Sequence, residues 1–238
     1  MRRRLLPALA AALLSTPVVA QDFSSIGGQY IDYGASMMAV GQLNNVLDGT
    51  RQGGPAKSRP TPSRAVDTRY RASPAVSARV RAQFADFAAK ADPARADRLR
   101  QVIGRQDLLA QWERHVAVDG LRRGDVADAM TAYWVQNWQL ATRTAFVDRL
   151  HVQAVRAQVS RALAASPAFA RLDDAGKQEM AETFMLNFVV QGSAYSDAMT
   201  RRDQGLALRL SDAAAARLRT EMKRDARQLR LTAAGFSR

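Results

Sequence analysis

A chain of 238 residues with no cysteine and a formal charge of +13 has to be held by an apolar core, because disulfides, thiolate metal sites and a lipid-modified cysteine are all excluded. The charge favours anionic partners in general. Only four of the 35 basic residues are lysine, however, and the arginines are scattered among acids as on solvated helix faces, with no interleaved aromatic and basic motif, so nucleic-acid binding is not expected.

The first twenty residues, MRRRLLPALAAALLSTPVVA, read as a signal peptide. Arg2, Arg3 and Arg4 are followed by an apolar run, Leu5 to Leu14, that is shorter than the ~20 residues a bilayer span takes. Val18 and Ala20 are the small residues that precede a cut, here expected after Ala20. Removing three arginines and no acid would take the charge from +13 to +10. The expectation is therefore a periplasmic or secreted protein with no transmembrane segment after the cut.

Residues 21–48 form a mixed segment with glycines at 27, 28, 34 and 41, which weaken any helix by about 1 kcal/mol each. Tyr30, Tyr33, Met37 and Met38 stand out in it as adaptable contacts for a partner. Residues 49–66 are rich in Gly, Pro, Ser and Arg and read as a disordered linker. Deleting residues 21–65 is expected to abolish partner binding and leave folding intact.

The remainder, 67–238, reads as one all-α domain of about seven helices packed as an orthogonal or bundle-like core. Ser73-Pro74 opens a helix with Val76, Val80, Phe84, Phe87 and Ala91 at helical spacing. Asp92-Pro93 opens a second with Leu99, Val102 and Ile103. Asp107 opens a third, carrying Leu108, Leu109, Trp112 and Val116 to a stop at Asp119-Gly120. Asp125 opens a fourth, VADAMTAYWVQNWQLAT. A fifth runs from about Phe146 to Ala164 with Leu150, Val152, Val155, Val159 and Leu163 inward. A short turn follows Ser166-Pro167. The helix opened by Asp173 or Asp174 is apolar nearly all round between Met180 and Val190, which marks a central position. Ser211 and Asp212 open the last helix, and the tail LRLTAAGF folds back by its Leu and Phe.

The fourth helix holds two of the chain's three tryptophans one turn apart. Its apolar residues cover more than half the circumference, so it is expected at the bundle centre rather than as a gripping surface. Asn137, and Asn187 on the other apolar helix, must be hydrogen-bonded if buried. Tyr133, Asn137 and Asn187 are the residues that could face a small ligand between the Trp134 helix and the Met180–Val190 helix.

Other chemistry is sparse. His115 and Glu113 are two apart and point to different sides of a helix, so no metal site is expected. Gly192-Ser193-Ala194 lacks the second glycine of a nucleophile elbow, and no phosphate loop or dinucleotide fingerprint occurs, so no cofactor is expected. Glu179 and Glu182 would serve a cell-envelope hydrolase only if one lay in an apolar cleft.

Four pieces, YRASPAVSARV, DVADAMTAYWVQNW, GKQEMAE and LTAAGF, spread over Tyr70 to Phe236, resemble an uncharacterised family of secreted proteobacterial all-helical proteins. The resemblance implies a signal peptide and a helical domain, and carries over no activity and no functional residue. Together the readings give an exported helical interaction protein with a protein partner in the cell envelope and a weak attraction to anionic envelope surfaces. The alternative is a small-ligand binder or envelope hydrolase.

Overall fold

The structure is a computed structural model that describes residues 23–28 and 66–237. The second stretch folds into eight α-helices and one small β-hairpin. They are α1 (Pro74–Ala91), α2 (Ala96–Arg105), α3 (Leu108–Val116), α4 (Val126–Thr142), α5 (Arg149–Ala164), α6 (Pro167–Ala170), α7 (Asp174–Thr200) and α8 (Gln204–Met222). The all-α reading holds, and no described helix is long and apolar enough to cross a membrane. The signal sequence and most of the N-terminal segment lie outside the described residues.

Capping chemistry explains most of the helix starts. Asp107 accepts from the Ala110 amide at 2.9 Å, Asp125 from Ala127 at 2.8 Å, Ser166 from Phe169 at 3.2 Å and Asp173 from Gly176 at 2.8 Å. Ser73 is the exception, since its hydroxyl caps nothing. The side chain of Gln178 on α7 does the work instead: its oxygen accepts from the Ser73 amide at 2.7 Å and its nitrogen donates to the Ser73 carbonyl at 3.0 Å. A helix end is thereby fastened directly to the central helix.

Two boundaries differ from the sequence reading. α8 starts at Gln204, one turn after α7, because Asp203 accepts from the Leu206 amide at 2.8 Å; Ser211 and Asp212 lie inside the helix. α5 starts at Arg149 under an Asp148 cap, so Phe146 precedes the helix. Leu150, expected inward, is 79 % exposed. It sits roughly 160° around the helix from Val152, at 100° per residue, and Val152 shares the buried face with Val155, Val159 and Leu163.

α4 lies in the middle. It packs on α5, α7 and α8, and fourteen of its seventeen residues are buried. The aromatic stripe is therefore core. Trp134 is 2 % exposed, and Trp138 reaches the C-terminal end of the chain, where its indole N–H donates to the Leu229 carbonyl at 3.1 Å.

The tail folds back as expected, but as strands: β1 (Arg230–Thr232) pairs antiparallel with β2 (Gly235–Ser237). The Gln158 side chain on α5 acts on β2 as a peptide group would. Its oxygen accepts from the Phe236 amide at 2.9 Å and its nitrogen donates to the Phe236 carbonyl at 3.1 Å. Gly235 has φ +98°, and a Cβ there would lie 2.6 Å from the Gln158 oxygen, so the turn requires glycine on both counts.

At the other end, residues 66–70 lie along the start of α4. The Tyr70 amide donates to the Gly124 carbonyl at 3.0 Å, and the Val126 amide to Thr68 at 3.0 Å. Burial, aided by the negative charge of Glu182, pushes the Tyr70 phenol up to about 12. The fold thus favours the neutral phenol, and this stabilisation is complete below pH ~10 and lost as pH rises towards ~12. Tyr70→Phe is expected to remove about 1–2 kcal/mol of that alkaline loss. Urea unfolding at a series of alkaline pH values checks it, with the tyrosinate absorbance titration reporting the missing late step.

Candidate functional site

The polar residues singled out between the two apolar helices are brought together, in a network deeper than the sequence indicated. Asn137 is fully buried. Its amide donates to the Tyr133 carbonyl at 2.9 Å and to the Gln191 side-chain oxygen at 3.2 Å. Its oxygen accepts from the Arg217 Nε at 2.9 Å. Asn187 donates to the Thr183 carbonyl at 3.0 Å and accepts from Gln191 at 3.3 Å. The two asparagines are linked through Gln191 of α7, not directly.

Tyr133 belongs to the second half of the network. Its hydroxyl donates to one oxygen of Glu221 at 2.8 Å, and the Trp134 indole N–H donates to the other at 3.0 Å. The Tyr133 ring lies 5.0 Å from that of Phe184. Arg217 and Glu221, one turn apart on α8, are only 7 % and 3 % exposed. Sequence reasoning missed both because Arg and Glu on a helix usually face water. The signal present was their spacing of four on the face that also carries Ala214, Leu218 and Met222. Gln191 was equally visible, at i+4 from Asn187.

Arg217 also reaches outside the helices. Its Nη1 donates to the Gly28 carbonyl at 3.3 Å. Gly28 ends a short strap, Phe23–Gly28, seated on α7 and α8. Phe23 and Ile26 are 0 % and 2 % exposed and belong to the core. The Ser24 hydroxyl donates to Asp197 at 2.7 Å. Gly27 lies so close to α7 that a Cβ would stand 2.3 Å from the Ala194 Cβ. Residues 21–65 are thus not a dispensable extension. Their first described residues complete the core, and removing them would expose it. Tyr30, Tyr33, Met37 and Met38 lie outside the described residues.

Two further charged clusters border this core. Asp125 and Asp128 at the start of α4 both bind Arg156 of α5, Asp125 at 3.0 Å. Burial pushes the Asp128 carboxyl up, while its bond to Arg156 pulls it down. Glu182, 3 % exposed, accepts from the Ser77 hydroxyl at 2.6 Å and from Gln178 at 2.8 Å through one oxygen; its other oxygen has no hydrogen-bond partner among the described residues. Glu179 sits outside and pairs with Arg79 at 3.1 Å. His151 bonds Asp148 at 2.6 Å, and the His115 ring tilts against Phe188 at 5.2 Å.

Both Asn137 amide hydrogens are spent within the protein, and its oxygen holds an arginine. Such an arrangement fixes how α4, α7, α8 and the strap meet.

No curated protein matches this chain, and no solved structure matches it. The model of a family of unknown function, DUF6683, matches residues 35–238. The match extends beyond the motifs at Tyr70 to Phe236 and takes in Met37 and Met38, but not Tyr30 or Tyr33.

Proposed function

The chain belongs to this family of unknown function, and we propose that it is an exported helical interaction protein that uses residues 29–65 to bind a protein partner in the cell envelope. The supporting observation is the strap. Phe23–Gly28 is held on α7 and α8, and residues 66–70 are held at the start of α4. The 37 residues between are therefore lashed to the domain at both ends. In sequence, Tyr30, Tyr33, Met37 and Met38 follow Gly28, and Tyr and Met are suited to adaptable contacts. The leader MRRRLLPALAAALLSTPVVA supports export. Residues 21–238 as the exported form are tested by sequencing the N-terminus of protein recovered from the periplasm and medium, with Gln21 expected first.

The partner reading is tested with the strap left in place. Residues 21–238 are crosslinked in envelope extracts beside a variant carrying Tyr30→Ser, Tyr33→Ser, Met37→Ser and Met38→Ser. Capture of the same partner is expected to fall about tenfold or more, which is ~1.4 kcal/mol or more of binding, while the thermal midpoint stays unchanged. Equal capture by the two forms would remove these four residues from the interaction.

A further inference from the structure

We propose that the end of the molecule carrying Val118, Phe146 and Leu150 is a contact site for an anionic lipid bilayer surface. These are the three most exposed large apolar side chains among the described residues, at 73 %, 68 % and 79 %. They converge on the start of α5. Phe146 and Leu150 flank its Asp148 cap, with Val147 between them turned towards the core. Val118 lies in the turn Ala117–Asp119, which is fastened to the same end: Gln153 donates to the Asp119 carbonyl at 2.6 Å. Gly120, left-handed at φ +76°, lets the Arg149 guanidinium close over the turn; a Cβ there would stand 2.7 Å from Arg149 Nη2. Arg149 is thereby held over the turn that carries Val118.

The chain segments that carry the three side chains are basic. Arg122, Arg123, Arg143 and Arg149 are all exposed, and none is in an ion pair among the described residues. The acids on the same segments are Asp119, which feels the charge of Arg149, and Asp148, which is engaged by the His151 amide and ring. Three isolated apolar knobs fall far short of the ~800 Å² per partner that a specific protein interface takes. A bilayer surface asks for no matching shape. Phe and Leu enter among the headgroups, while arginines gain about 1 kcal/mol each near anionic lipid. The site involves neither the strap nor Tyr30 to Met38, so it stands independently of the partner reading.

Residues 21–238, which keep every described residue and omit the apolar leader, are cosedimented with vesicles of phosphatidylglycerol and phosphatidylcholine, and with phosphatidylcholine alone. Binding is expected only to the anionic vesicles, and to weaken with salt. Phe146→Ser with Leu150→Ser is expected to weaken it about tenfold or more at unchanged thermal stability, since both side chains already face solvent. Arg143→Gln with Arg149→Gln should lower both the affinity and its salt dependence. Absence of binding to anionic vesicles overturns the proposal. So does binding that the Phe146 and Leu150 changes leave intact, which would be diffuse attraction of a basic chain. Loss of crosslinking to an envelope protein in that variant, with vesicle binding retained, would make the patch a protein contact and overturn it equally.

Discussion

Replacing Phe23 by alanine is expected to cost the helical domain about 3–5 kcal/mol, although Phe23 stands 43 residues ahead of Val66 in the chain. The ring is fully buried against the core, and its loss leaves a cavity that helices fixed by the Arg217 and Asn137 network cannot close. Urea unfolding followed by tryptophan fluorescence measures it. A cost below ~1 kcal/mol would mean that the strap is not seated in solution. Gly27 supplies a sharper version of the same test. Gly27→Ala places a Cβ against Ala194 and should expel the strap, with a loss of about 2–3 kcal/mol. Ala194→Gly makes room at a cost of about 1 kcal/mol in helix propensity. The double variant should therefore be more stable than Gly27→Ala alone. Such a rescue requires that the two residues touch.

Glu221→Leu is expected to be as damaging, at about 3–5 kcal/mol. The carboxylate receives the Tyr133 hydroxyl and the Trp134 indole N–H, all three residues being buried. Leucine would leave both donors unsatisfied in the core. Glu221→Gln keeps an acceptor and should cost less, about 1–2 kcal/mol, because one of the two donors retains a neutral partner. Glu179→Leu, which breaks a surface pair with Arg79, should cost under ~1 kcal/mol and serves as the control. Unfolding free energies check the order. The near-ultraviolet circular dichroism of Trp134 should change in the Glu221 variants and not in the control.

The helical part of the fold was legible because its signals are local. Asp107, Asp125, Ser166 and Asp173 each cap the helix that follows them. The all-round apolar pattern of Val126–Thr142 and Met180–Val190 marked the two helices that carry the centre of the core. What escaped depends on tertiary partners. The strap was hidden because Phe23 and Ile26 are two apolar residues among serines and glycines, and Gly27 reads as a helix breaker until Ala194 is seen against it. The β-hairpin escaped because three-residue strands carry no alternation, and its second side is completed by the Gln158 side chain. Of the central network, Tyr133, Asn137 and Asn187 were visible as polar interruptions of apolar helices. Arg217 and Glu221 were not, since a charged pair at helical spacing looks the same whether it faces water or an indole.

Because the strap and the start of α4 are both anchored, residues 29–65 close a circuit through the domain. A peptidase that cut this segment would not shed the N-terminal piece at once. Before the cut, covalent attachment makes the strap's binding to its seat an intramolecular event. After it, the strap becomes a separate ligand, retained by contacts that include the Phe23 and Ile26 side chains, the Ser24 hydroxyl and the Gly28 carbonyl. Dilution would then decide whether Phe23 stays, and with it the stability of α7 and α8. The same contacts that now finish the core would make a single peptide bond between residues 29 and 65 a timer for the whole domain.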